Sequence, residues 1–143
     1  MAKQLVILVV EDNPADVFLV REALKIHGMP ANLVVLDNGE KAMRWIEAND
    51  EGPERVHPDA VVLDLNMPKR SGAEVLEEIR ASKTLRDTPV IIFTSSNAYH
   101  DRALLDRFPN TKYLRKSGDF DEFIEIGGVL RAVIAGDGGE HAT

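Results

Sequence analysis

Cysteine is absent from the sequence, which excludes disulfides, thiolate nucleophiles and cysteine-type zinc sites and suits a reducing compartment. Long apolar runs are absent too. The N-terminal run is too short for a signal peptide's hydrophobic region and leads directly into acids, and nothing approaches the roughly 20 residues of a membrane span. The expectation is a soluble, cytoplasmic protein. Positive charge is in short supply, with 17 Lys plus Arg against 24 Asp plus Glu and a net charge of −7, which argues against a broad nucleic-acid or anionic-membrane surface. The four histidines, His27, His57, His100 and His141, lack ligand spacing. No linker or internal repeat divides the 143 residues, so one domain over residues 1–135 with a frayed tail over 136–143 is expected.

Five short β-branched runs are present: Leu5 to Val10, Leu33 to Leu36, Ala60 to Leu63, Val90 to Phe93 and a weaker Tyr113 to Leu114. They are continuous rather than alternating, as befits parallel strands covered on both faces by helices. Helical spacing fills the intervals, through Val17, Val20 and Leu24; Ala42, Met43 and Ile46; Val75, Leu76 and Ile79; Leu104, Leu105 and Phe108; and Phe123, Ile126, Leu130 and Val133. Asn13 before Pro14 reads as a helix cap, Ser71 with Glu74 and Asp119 with Glu122 as capping boxes, Gly28 and Pro109 as stops. The stretch Asn49 to Pro58 reads as a long loop. Strict βα alternation predicts a doubly wound α/β fold of the flavodoxin-like kind, a five-stranded parallel sheet in order 2-1-3-4-5 flanked by five helices.

In such a sheet, residues just past the strands' carboxyl ends share one edge, where ligands bind. Glu11 and Asp12 follow the first strand, Asp64 the third, Thr94 and Ser95 the fourth, and Lys116 the fifth. Three converging carboxylates repel one another unless a cation sits among them, and an all-oxygen donor set favours Mg²⁺, with Mn²⁺ as a stand-in. A cation and an ammonium beside carboxylates suit a transferring phosphoryl group, with Asp64 as nucleophile and Thr94 as hydroxyl donor. Singly, each residue has an ordinary reading as a helix-dipole charge, a cap or a surface lysine. Together they do not.

The motifs VVEDNPAD at 9 to 16, LDLNMPKRSG at 63 to 72, IIFTSS at 91 to 96 and YLRKSGD at 113 to 119 resemble those of response regulator receiver domains of two-component signalling. The resemblance covers essentially the whole chain. It implies Asp64 as phosphoacceptor, Asp12 as direct metal ligand, Glu11 as a ligand through water, and Asn66 as a backbone-carbonyl ligand. It further implies that Thr94 and Lys116 contact the phosphoryl oxygens and that Tyr113 rotates inward on activation. Asn66 and Ser96 stand where this family tunes phosphoryl lifetime. NMPKRSG and KSGDFDEF look most like single-domain regulators paired with phytochrome kinases, so the implied partner is a sensor histidine kinase of that type. The family usually has proline after its lysine, in a cis peptide; here Ser117 follows Lys116, and a trans bond is expected because a non-proline cis bond costs about 2.5 to 4 kcal/mol.

The implied protein is a phosphoryl-accepting switch rather than an enzyme, its only chemistry self-catalysed phosphotransfer and autodephosphorylation. A phosphorelay intermediate is the alternative. A haloacid-dehalogenase-type hydrolase needs a second Asp where Asn66 stands, and a nucleotide or flavin module needs a phosphate cradle where EDNPAD would repel it. Phe120, Phe123, Ile124, Ile126, Val129, Leu130, Val133 and Ile134 wrap more than one face of the last helix. Homodimerisation through it and the preceding helix, or burial against the chain's own tail, are both open. Asp16 is expected to belong to the first helix, outside the pocket.

Overall fold

The structure, a computed structural model, describes residues 4–67, 69, 71–95, 107–108, 110–116 and 119–136, with Glu122 described by its backbone alone. Its strands are β1 (Leu5–Val10), β2 (Ala31–Leu36), β3 (Ala60–Leu63), β4 (Val90–Thr94) and β5 (Thr111–Arg115). Its helices are α1 (Pro14–Ile26), α2 (Gly39–Glu51), α3 (Gly72–Ala81) and α4 (Phe120–Ile134). The strands form one parallel sheet in the predicted order β2-β1-β3-β4-β5. Four helices are described where five are expected. The other, through Leu104 and Leu105, falls outside the described residues, as do Ser96, Pro109 and the tail from 137.

Continuous apolar strands work here because successive side chains enter different cores. Ile7 and Val9 of β1, Val62 of β3, and Ile91 and Phe93 of β4 face Val20 and Leu24 of α1 and Phe123, Ile126 and Leu130 of α4. Leu8 and Val10, Val61 and Leu63, and Val90 and Ile92 face Ala42 and Ile46 of α2 and Val75, Leu76 and Ile79 of α3. The three inner strands are buried throughout their middles, whereas β2 and β5, at the edges, are half-covered. The apolar surface of α4 is taken up mainly within the fold. Ile124, Val129, Val133 and Ile134 lie partly buried against the first core, and Phe120 remains 54% exposed.

Close approach of α4 to α1 depends on Gly127, where a Cβ would lie 2.3 Å from His27 Cδ2 and 2.6 Å from Ala23 O. Phe123 then meets Phe93 edge-on, ring centroids 4.7 Å apart, a contact worth about 0.5–1.5 kcal/mol beyond area burial. It fastens α4 beneath the end of β4, next to Thr94.

The start signals at Asn13 and Ser71 and the stop at Gly28 hold in detail. Asn13 Oδ1 accepts from Ala15 N with Pro14 at the first helical position, and Ser71 with Glu74 forms the capping box. Gly28, at φ 71°, ends α1 as Gly28 N donates to Lys25 O and Met29 N to Leu24 O. Asp119 caps α4 through Asp121 N; Glu122's part in that box falls outside the described side chains. The predicted loop from Asn49 requires correction, because α2 continues to Glu51. Buried Asn49 bonds both Val56 N and Val56 O and donates to Thr84 Oγ1. Asp50 accepts from Ser82 Oγ, Thr84 N and Thr84 Oγ1. These partners lie up to 35 residues away, and they outweigh the local turn signal of Gly52 and Pro53.

Candidate functional site

The sheet delivers Glu11, Asp64 and Lys116 to one edge with their main chains still in the ladder. Glu11 N donates to Leu36 O at 3.0 Å, Asp64 N to Val10 O at 3.0 Å, and Lys116 N to Thr94 O at 2.8 Å. Each side chain therefore leaves from a nearly fixed backbone. Glu11 is 3% and Asp64 5% exposed, whereas Asp12 is exposed. Carboxylate oxygens of Glu11, Asp12 and Asp64 lie within 4.8 Å of one another. That all-oxygen, acid-rich donor set fits a hard divalent cation such as Mg²⁺ and fits zinc poorly.

Lys116 answers part of this charge. Its Nζ donates to Glu11 Oε1 at 2.6 Å, Asp16 Oδ2 at 2.7 Å and Asp64 Oδ2 at 3.2 Å, and lies 5.8 Å from the Phe93 ring centroid. Burial pulls the ammonium's pKa down, but its bonds to Asp16 and Glu11 and the charges of Glu11 and Asp64 outweigh it and hold the group above its ordinary range. The Asp16 contact corrects the expectation that this residue stays outside the pocket. Asp16 does sit in the first turn of α1, but the long lysine chain reaches past Glu11 to meet it.

The loop after β3 is shaped around Asp64. Asn66 N donates to Asp64 Oδ1 at 3.1 Å, and Asn66 Nδ2 reaches Thr94 Oγ1 at 3.5 Å. Gly72 N donates to Leu65 O, and a Cβ on Gly72 would lie 2.6 Å from Asp64 O and 2.5 Å from Leu65 Cα. Only glycine lets α3 begin so close to the acid. Lys69 takes φ 65° in the same loop, a left-handed conformation costing of order 1 kcal/mol or more at a non-glycine residue. Thr94 is fully buried, and Tyr113 lies half-buried against the second core with Met67 and Phe108. The Lys116–Ser117 peptide reaches outside the described residues.

Desolvation by burial, opposed by the Lys116 hydrogen bond and reinforced by the charge of Asp64, pushes the Glu11 carboxyl from 4.5 up to about 7. On this group's account the metal-free fold is favoured most below 4.5, where the carboxyl is protonated folded and unfolded alike, and loses stability as pH rises towards 7. A cation prefers the carboxylate, so Mg²⁺ binding should tighten through the same window and level off above it. Calorimetric titration is expected to show affinity falling by up to about tenfold per pH unit below the Glu11 transition. A flat affinity from pH about 5 to about 8 would remove Glu11 from the metal's surroundings.

The sequence matches the response regulator receiver domain family over residues 7–126. It is 35% identical over 121 residues to response regulator Rcp1 of Synechocystis sp., covering 85% of this chain and 82% of Rcp1. The crystal structure of Mn²⁺-bound Rcp1 superposes with a TM-score of 0.76 at 33% identity over 89% of this chain and 91% of Rcp1. The phosphorylated cyanobacterial phytochrome response regulator RcpA gives 0.76 at 34% identity, over 91% of this chain and 94% of RcpA. The receiver domain of sensor histidine kinase PA1611 from Pseudomonas aeruginosa PAO1, with magnesium in its active-site cleft, gives 0.71 at 28% identity over 93% and 99%. Among the described residues no helix is long and apolar enough to cross a membrane. An acid cluster and a lysine gathered at the carboxyl edge of this sheet, in a sequence matching these proteins over most of their length, make the chain a response regulator receiver domain of two-component signalling, a phosphoryl-accepting switch.

Proposed function

We propose that Asp64 is the phosphoacceptor and that the donor is a phosphohistidine on a sensor histidine kinase of the phytochrome type. The observation that carries the roles is the convergence of Glu11, Asp12 and Asp64, within 4.8 Å of one another, with the Lys116 ammonium held against two of them. An Asp64 oxygen attacks phosphorus, the histidine nitrogen–phosphorus bond breaks, and the imidazole departs with the bonding pair. Asn66 N holds Asp64 Oδ1 and so fixes the carboxylate's rotation. Mg²⁺ would be held by Asp12, Asp64 and the Asn66 carbonyl, with Glu11 acting through water, and supplies positive charge for the phosphoryl oxygens. Lys116 turns its donors to those oxygens from the other side.

Thr94 is the proposed link from chemistry to conformation. Its hydroxyl, which now accepts from Asn66 Nδ2, turns to donate to a phosphoryl oxygen, and Tyr113 on the neighbouring strand follows inward. Similarity to RcpA, a cyanobacterial phytochrome response regulator, supports a phytochrome-type kinase as partner. Of the two readings left open for the last helix, exposed Phe120 favours homodimerisation through it. A phytochrome-type kinase carrying labelled phosphohistidine should pass its label to this chain when Mg²⁺ is present. Label that stays on the kinase while a small-molecule donor does modify the chain would overturn the partner assignment. Label moving onward to a histidine phosphotransfer protein would make the chain a relay.

A further inference from the structure

We propose that Asp16 is a positioning residue of this site, holding the Lys116 ammonium back from Asp64 in the unphosphorylated chain and competing with the phosphoryl group for it. The inference rests on the phosphoryl-acceptor reading above. An ammonium has three hydrogens to give, and Lys116 Nζ meets three carboxylates. The lengths are unequal. Contacts of 2.6 Å to Glu11 and 2.7 Å to Asp16 are as short as strong charge-assisted bonds, whereas 3.2 Å to Asp64 lies beyond that range. The cation leans away from the nucleophile.

Asp16 differs from the other two acceptors in one decisive respect. Glu11 and Asp64 belong to the carboxylate group whose oxygens suit a metal ion, and Asp16 does not. A cation in that group draws on Glu11 and Asp64, and the carboxylate that still claims the lysine is Asp16. It is well fixed for this. Its N–H donates to Asn13 O at 3.1 Å in the capped first turn of α1, where the helix dipole favours a negative charge. Its side chain is 16% exposed and that of Lys116 11%, so water screens the pair only in part.

Three hydrogens already committed must be partly released before Lys116 can serve a phosphoryl oxygen. The Asp16 bond is therefore an opposing term in phosphoryl binding, and removing its charge should favour the phosphorylated form. Beryllofluoride, which mimics an aspartyl phosphoryl group, reads this at equilibrium with saturating Mg²⁺. Asp16→Asn is expected to bind it about three- to tenfold more tightly than wild type, the range typical of coupled neighbours. Asp16→Glu, which keeps the charge, should return towards the wild-type affinity. In a Lys116→Met background the Asp16→Asn change should have no effect, because the competition runs through the lysine.

A second measurement needs no metal. The nitrogen resonance of the Lys116 ammonium should shift in Asp16→Asn and stay near its wild-type position in Asp16→Glu. Equal affinity of Asp16→Asn and wild type would overturn the proposal, as would weaker binding, which would make Asp16 a support rather than a competitor. An effect of the same size with and without Lys116 would reduce Asp16 to a general field. Failure of wild type itself to bind beryllofluoride would instead defeat the phosphoryl-acceptor reading, and this proposal with it.

Discussion

Asp64→Asn is expected to take up no phosphoryl group from acetyl phosphate and Mg²⁺, under conditions in which intact mass shows one group added to the wild type. The substitution keeps the size of the side chain and removes its charge and its nucleophilicity. An amide oxygen is neutral and weakly nucleophilic, whereas its size and its acceptor role towards Asn66 N are those of the carboxylate. Neighbouring acids should not substitute. Glu11 is buried and tied through both oxygens, to Asn13 N and Lys116 Nζ, while Asp12, exposed at the mouth, lacks the bond to a loop amide that fixes Asp64. The fold should survive, because Glu11, Asp12, Asp16 and Asp64 outnumber the one ammonium that the described residues place among them, and removing an acid lowers repulsion. Equal labelling of variant and wild type would place the phosphoacceptor elsewhere and undo the assignment of the site.

Lys116→Met should lose stability in the absence of divalent metal by about 3–5 kcal/mol, as expected when one partner of a buried ion pair is removed and the other stays charged. Methionine approximates the lysine stem, so the space beside the Phe93 ring stays filled; the charge is what goes. Glu11, Asp16 and Asp64 then face one another with no cation between them. The loss should be smaller near pH 6 than near pH 8, since without the Lys116 bond and charge that lower it the Glu11 carboxyl is pushed still higher than in wild type and takes up a proton that relieves the repulsion. Mg²⁺ should restore more stability to this variant than it adds to wild type. Urea unfolding with and without Mg²⁺ measures all three, and an unchanged metal-free midpoint would show that the ammonium balances nothing.

The sheet was legible because β1, β3 and β4 are covered on both faces, so their sequences could only be apolar runs. β5 was fainter, and its half-exposure as an edge strand explains why Tyr113 and Leu114 alone stood out of a strand from Thr111 to Arg115. The acids and Lys116 were legible from their places after strands. Asp16 was not, since an acid in a first turn is already accounted for by the helix dipole, and only the arrival of a lysine 100 residues later gives it another task. The same holds for Asn49 and Asp50. Gly52 and Pro53 announce a turn locally, while the bonds to Thr84 that lengthen α2 cross 35 and 34 residues.

The Lys116 contacts span 105, 100 and 52 residues of chain. Loop closure of that length is paid for only after the sheet is assembled, so the site's internal counter-charge arrives with the last strand. During synthesis, which proceeds from the amino end at about 5–20 residues per second, the acids of β1 and β3 exist for seconds before their lysine does. A chain truncated before β5 thus lacks the Lys116 ammonium that meets Glu11, Asp16 and Asp64 in the complete fold. With Lys116 as the proposed partner of the phosphoryl oxygens, competence to be phosphorylated is expected to come with the last strand, and a chain cut before β5 is expected not to respond.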